Sequence, residues 1–155
     1  MALVEAHGDA LRRIARFYAG EDGEEEDLHQ EILVQAWRSF PSFRGDASAG
    51  TWLYRVALNT ALTWRRRAHR RSERRAPLDP EQEAGSVQQG SHESETAILA
   101  AFLDTLGGVD RSVLLLYMEG LSHREIADVT GLSAGAVGVR IHRMKQVFTD
   151  RFVER

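Results

Sequence analysis

The sequence predicts an all-α chain: two small helical domains joined by a flexible acidic linker, the second containing a helix-turn-helix. Three observations carry this. Apolar residues recur at three- and four-residue spacing through both halves, while the period-two alternation of strands is absent. Residues 76–95 hold Pro77, Pro80, Gly85, Gly90, several Ser and Gln, and only Leu78 and Val87 as large apolar side chains. Such a stretch buries too little surface to offset the entropy of ordering its backbone. Ala127, Gly131 and Val137 have the spacing of a small residue at a helix contact, a turn glycine and a buried aliphatic. The expected division is therefore 1–75, a linker at 76–95, and 96–155.

Each element follows in order. Leu3, His7, Leu11, Ile14, Ala15 and Tyr18 mark one face of a first helix ending near Gly20. Leu28, Ile32, Leu33, Ala36, Trp37 and Phe40 mark the buried face of a second, stopped by Pro41. A loop over Pro41–Gly50 leads to a third helix through Leu53, Val56, Ala57, Thr60, Ala61 and Trp64. Beyond the linker, Ala97–Leu106 and Val113–Met118 are two packed helices broken at Gly107-Gly108. Ser122-His123-Arg124-Glu125 fits a capping box, Gly131 a left-handed turn, and Ser133 the cap of a last helix through Val137, Ile141, Met144 and Phe148. Leu121, Ile126, Leu132 and Ile141 complete the helix-turn-helix core.

With 155 residues, 43% hydrophobic and 28% charged, the chain has an ordinary globular composition, and its formal net charge of −3 decides nothing about nucleic acid. The distribution of charge is more informative. Seven carboxylates and no base lie between Glu21 and Glu31; seven arginines against Glu73 lie between Trp64 and Arg75; five acids and no base lie between Ala76 and Glu95. Surfaces sorted in this way fit several different partners. No apolar run approaches the length of a membrane span, and the absence of cysteine excludes disulfides and thiolate metal sites, so a cytoplasmic location is expected. The six histidines have no metal-ligand spacing, and neither a nucleophile–base pair nor a glycine-rich phosphate loop is present. No catalytic activity, cofactor or metal is expected.

Three runs carry a family resemblance. Glu26-Asp27-Leu28-His29-Gln30-Glu31-Ile32-Leu33-Val34-Gln35-Ala36-Trp37 resembles the core-binding motif of bacterial sigma factors. Phe43-Arg44-Gly45-Asp46, with Thr51-Trp52-Leu53-Tyr54-Arg55-Val56-Ala57-Leu58-Asn59, is similar to the promoter-melting region of the extracytoplasmic-function (ECF) group. The segment ending Arg140-Ile141-His142-Arg143 resembles that group's domain for the −35 promoter element. The resemblance covers nearly the whole chain. It implies a factor that binds core RNA polymerase, recognises −10 and −35 elements and promotes melting, with an anti-sigma factor as a further partner.

Residue by residue, the resemblance and the spacing together give three expected surfaces. Asp27, Gln30, Glu31 and Gln35 share one polar helix face, which the resemblance docks on a basic coiled coil of the polymerase largest subunit. Phe43, Arg44, Ser48, Thr51, Trp52, Arg55, Asn59, Arg65 and Arg66 would hold melted DNA, by stacking, a pocket for an extruded base and phosphate contacts. Ala49-Gly50 stands where many ECF members carry bulky residues, so melting rests on fewer stacking contacts. Ser133, Ala134, Gly138, Val139, Arg140, His142, Arg143 and Lys145 are the candidates for the −35 element. Ala134, Gly135, Gly138 and Val139 offer few groups for base edges, so readout by this helix is expected to be weak. As a flexible coil the 20-residue linker averages roughly 22–27 Å end to end, and fully extended it spans roughly 66–72 Å. Elements about 16–18 base pairs apart are separated by roughly 54–61 Å, within its extended reach. A helix-turn-helix regulator of duplex DNA acting without polymerase is the alternative, and it needs neither the acidic second helix nor the melting loop. A degenerate sigma-like protein that initiates poorly is a third.

Overall fold

A computed structural model describes residues 2–19, 23–75 and 95–153. The expected linker falls almost entirely outside these residues.

The first unit is three helices, α1 (Ala2–Ala19), α2 (Glu25–Ser39) and α3 (Ala49–Arg75), each packed on the other two. Leu11 and Ile14 of α1, Leu28 and Ile32 of α2, and Leu53 of α3 are fully buried between them. Each such side chain contributes about 1.5–3 kcal/mol through burial. Ala15, Ala36, Ala57 and Ala61 stand where the helices come together and are almost completely covered. Leucine at any of these positions would force the helices apart.

The buried face of α2 is narrower than periodicity implies. Leu28, Ile32 and Ala36 are buried, but Trp37 is 72% and Phe40 58% exposed, contrary to their expected place in the core. Pro41 lies within a 3₁₀ turn (Phe40–Ser42) that ends α2, and the Phe40 ring meets Phe43 and Trp52 instead of entering the core. Helix α3 begins at Ala49, inside the expected loop. Ser48 accounts for the early start, because its hydroxyl accepts the Thr51 backbone N–H at 3.1 Å and bonds the Thr51 hydroxyl at 2.9 Å.

The second unit comprises α4 (Glu95–Asp104), α5 (Gly108–Met118), α6 (His123–Thr130) and α7 (Ala134–Phe148). Val113, Leu116, Ile126 and Val137 are its fully buried centre. The capping box forms as expected: Ser122 Oγ accepts the Glu125 N–H at 3.1 Å, and the Glu125 carboxylate accepts the Ser122 N–H at 2.6 Å. Gly131 closes α6 at φ 80°, a left-handed conformation that glycine adopts without strain. Ser133 caps α7 through the Ala136 N–H at 3.1 Å. Helices α6 and α7 are thus a helix-turn-helix. A π-helical turn over Thr149–Val153 prolongs α7 and brings Phe152 and Phe148 edge-on to Phe102, with centroids 5.9 and 5.1 Å away.

The two units pack on one another, and their buried residues form one continuous cluster. Tyr18 Oη and Ser112 Oγ share a buried hydrogen bond of 2.9 Å. Arg13 makes a bidentate pair with Glu119 at 2.5 and 2.7 Å, and Arg111 lies over the Phe17 ring at 5.5 Å. Burial raises the Tyr18 pKa despite the Ser112 bond, and burial lowers that of Arg111.

Candidate nucleic-acid interface

The aromatic end of the first unit is built by the turn after α2 and the first turn of α3. Phe43 packs on Trp52 with ring centroids 5.2 Å apart, and Phe40 closes the cluster at 6.5 Å from Phe43 and 6.1 Å from Trp52. Phe43 and Trp52 are each half-buried, so this is a pre-assembled platform with free edges. The helical spacing predicts Phe40 in the core; it is instead the third ring of this platform. Arg44 and Ser48 are exposed beside it, and Ser48 and Thr51 are tied to each other by the helix cap.

Asn59 lies two helical turns further along α3. With Glu31, Gln35, Thr60, Thr63, Trp64 and Arg67 it lines a groove of about 290 Å³ between α2 and α3. The residues expected around melted DNA therefore fall into two groups: Phe43 joins Trp52, and Asn59 joins the polar face of α2. Within that face Gln35 donates to Glu31 at 3.0 Å and Gln30 donates to Glu26 at 3.1 Å, while Asp27 and Gln30 are exposed. Hydrogen bonds from Gln30 and Arg12 hold the Glu26 carboxyl below the usual carboxylate range. Trp64 is half-buried and donates from its indole to Glu24 at 3.2 Å. Arg65 and Arg66 are exposed on α3, level with the start of α2 that Trp64 joins, and Arg65 lies near Tyr18 and Arg111. Arg55, also expected to face DNA, instead donates both Nε, at 2.8 Å, and Nη2 to the Asp128 carbonyl of α6.

Along α7, Val137, Ile141 and Met144 are buried, and Ser133, Ala134, Val139, His142 and Arg143 are exposed. Two of the candidate −35 residues already have partners. Arg140 pairs with Asp110 at 2.7 Å, and Lys145 bonds the Tyr117 hydroxyl at 2.7 Å while lying over its ring at 4.7 Å. Gly138 is half-buried because the His123 imidazole of α6 lies on it. No spacing rule could have signalled that contact. Among the described residues, no group of three or more His, Asp or Glu is placed to hold a metal ion, and no helix is long and apolar enough to cross a membrane.

Two family models divide the chain at the same place as the geometry: Sigma-70 region 2 matches residues 3–71, and Sigma-70, region 4 matches residues 96–146. A curated relative, the ECF RNA polymerase sigma-E factor of Haemophilus influenzae, is 30% identical over 139 residues, covering 81% of this chain and 72% of that protein. The chain belongs to the ECF RNA polymerase sigma factors. Another ECF member, SigE of Mycolicibacterium smegmatis, is 35% identical over 153 residues, and the chain spans 59% of its length. Among solved structures, CnrH in complex with the cytosolic domain of CnrY matches with a TM-score of 0.66 and 28% identity, over 96% of this chain and 84% of that one. RpoE of Bartonella quintana, in complex with the anti-sigma factor NepR, shares the fold with a TM-score of 0.73 at 23% identity, over 98% and 96% of the two chains. In this ECF chain the helix-turn-helix thus lies in the region 4 match, and the aromatic platform and polar α2 face lie in the region 2 match.

Proposed function

We propose that this ECF sigma factor recruits core RNA polymerase through α2, holds the melted −10 strand at the Phe43–Trp52 platform, and sets α7 against the −35 element. One observation carries the reading. A single small bundle presents carboxylates and amides around Asp27, Gln30 and Glu31 and, at its other end, the Phe43–Trp52 aromatic platform, while the arginines of α3 begin beside the start of α2. Duplex-binding regulators need neither feature, whereas a factor that must grip both a protein and unpaired bases needs both.

The residues take their roles from their chemistry. Asp27, Gln30, Glu31 and Gln35 offer carboxylates and amides to a basic surface. Phe43 and Trp52 stack on bases regardless of identity, and Arg44, Arg65 and Arg66 neutralise phosphates. Asn59 lies beside Glu31 and Gln35, so its amide serves the seam where polymerase and the separated strand meet. An anti-sigma factor is a natural further partner, since the similar chains CnrH and RpoE were each solved with a protein bound, NepR being a named anti-sigma factor. The cytoplasm, where polymerase works, is the expected location. Transcription in vitro with purified core polymerase on a genomic fragment library tests the reading. Discrete start sites that require the chain are expected, and their absence alongside sequence-specific duplex binding would favour a plain regulator.

A further inference from the structure

The two glycines that face outward on α7 differ in one respect. A Cβ added at Gly135 would meet nothing within 4 Å, so that part of the helix is simply bare. A Cβ at Gly138 would lie 3.3 Å from His123 Nδ1 and 3.5 Å from its Cε1. A side chain at 138 would crowd the imidazole, which would have to shift by a few tenths of an ångström even for alanine and further for a larger residue. Glycine inside a helix costs about 1 kcal/mol relative to alanine, and at Gly138 it makes room for a side chain from another helix.

His123 is the first residue of α6, held in place by the Ser122–Glu125 capping box. It is exposed, and among the described residues its ring nitrogens make no hydrogen bond. In a helix-turn-helix the first helix crosses the DNA backbone and the start of the second enters the major groove. The contact between residues 123 and 138 lies where these two helices meet. The surrounding outward positions of α7, Ala134, Gly135 and Val139, carry no side-chain hydrogen-bonding group.

We propose that His123 reads the −35 element in place of the side chain that Gly138 lacks: its imidazole hydrogen-bonds one base edge in the major groove. The chemistry fits, because imidazole can donate to guanine N7 or O6, adenine N7 or thymine O4. The inference rests on α7 being the −35 helix and adds a specificity-determining residue from outside it. Base preference should therefore be concentrated in one base pair, with little at its neighbours.

The test uses the full chain bound to core polymerase, on duplexes whose −35 segment is randomised upstream of a fixed, pre-melted −10 region. Sequencing of bound and unbound DNA gives the preference at each base pair. Wild type should prefer one base at a single position by about tenfold, as one good base contact allows. His123→Ala should flatten that position and leave the others unchanged, and it leaves the cap intact because Ser122 and Glu125 provide it. Gly138→Leu, which favours the helix but occupies the imidazole's place, should have the same effect. The double variant should be no worse than either single one, since both remove one interaction. Equal weakening on all sequences by His123→Ala would place the imidazole on a phosphate and overturn the proposal, as would an unchanged profile. Arg143→Ala is the control for the underlying reading. If it weakens binding while His123→Ala does nothing, α7 faces DNA and only the histidine assignment fails; if neither matters, the −35 assignment of α7 fails as well.

Discussion

At the loop end of the first unit, three aromatic rings pack within 6.5 Å of one another and an arginine-rich helix leads away from them. On the outward face of α7 the corresponding positions are alanine, glycine and valine, and two of the nearby cations are already paired with Asp110 and Tyr117. One surface is rich in groups that grip unpaired bases; the other is a smooth helix with a borrowed histidine. The contrast teaches that affinity and selectivity need not reside in the same unit. Stacking is strong but tolerant of sequence, so on the proposed reading the first unit provides grip. Whatever discrimination the second exerts upstream must come from few atoms.

The largest effect that would break this comparison is on melting. Phe43→Ala should destabilise the open complex by about 1–3 kcal/mol per lost stacked base. Closed-complex binding should change little. Permanganate reactivity of unpaired thymines, set beside gel-shift affinity, measures the two separately, and equal losses in both would remove the platform from its assigned role. Asn59→Ala sharpens the division within the same unit: a loss in core-polymerase affinity assigns it to the α2 groove, and a loss in permanganate reactivity alone assigns it to the strand.

Next in size is the joint reversal Asp27→Arg with Glu31→Arg. Affinity for core polymerase should fall about tenfold or more, more steeply at low salt, with an unchanged helical circular-dichroism spectrum. An unaltered titration with labelled core enzyme would strike out the α2 face as the docking surface.

Arg143→Ala should weaken binding to all upstream sequences alike and reduce the slope of log affinity against log salt by about 1. Arg140→Ala should change that slope less, because its guanidinium is held by Asp110. A salt series on two unrelated duplexes compares them directly. The smallest effect lies in the sequence of the −35 element itself. Away from the base pair under His123, single substitutions should cost about 1 kcal/mol or less, below the usual 1–3 kcal/mol of a directly read pair. Steep discrimination at several positions in a competition assay would mean that α7 presents a different face.

Much of this was legible in sequence because it depends on neighbours along the chain. The three- and four-residue spacing located α1 and α2, and the serine, glutamate and glycine around α6 gave its boundaries to the residue. Local pattern failed where burial depends on what lies opposite. Trp37 and Phe40 continue the apolar stripe of α2, yet Trp37 faces solvent and Phe40 packs on Phe43 and Trp52 outside the core. Ser48 was legible as polar but not as the cap that starts α3 at Ala49. The His123–Gly138 contact and the Arg55–Asp128 bond join separate helices, and nothing in spacing encodes them.

The packing of the two units has a consequence for how output is scaled. Arg55 of α3 bonds α6, and α6 packs on α7, so the surfaces proposed for the −10 and −35 elements are held on one packed body. Promoter elements about 16–18 base pairs apart are separated by roughly 54–61 Å. If those surfaces are the ones that meet the two elements, engaging both requires the units to move apart. If the separated population is about one in a hundred, apparent affinity for every promoter falls about a hundredfold, whatever its sequence. Arg13, Glu119, Tyr18 and Ser112 then act as a gain control, moving all promoters together, whereas Phe43 and His123 act on one step or one base pair and so alter the ranking among them.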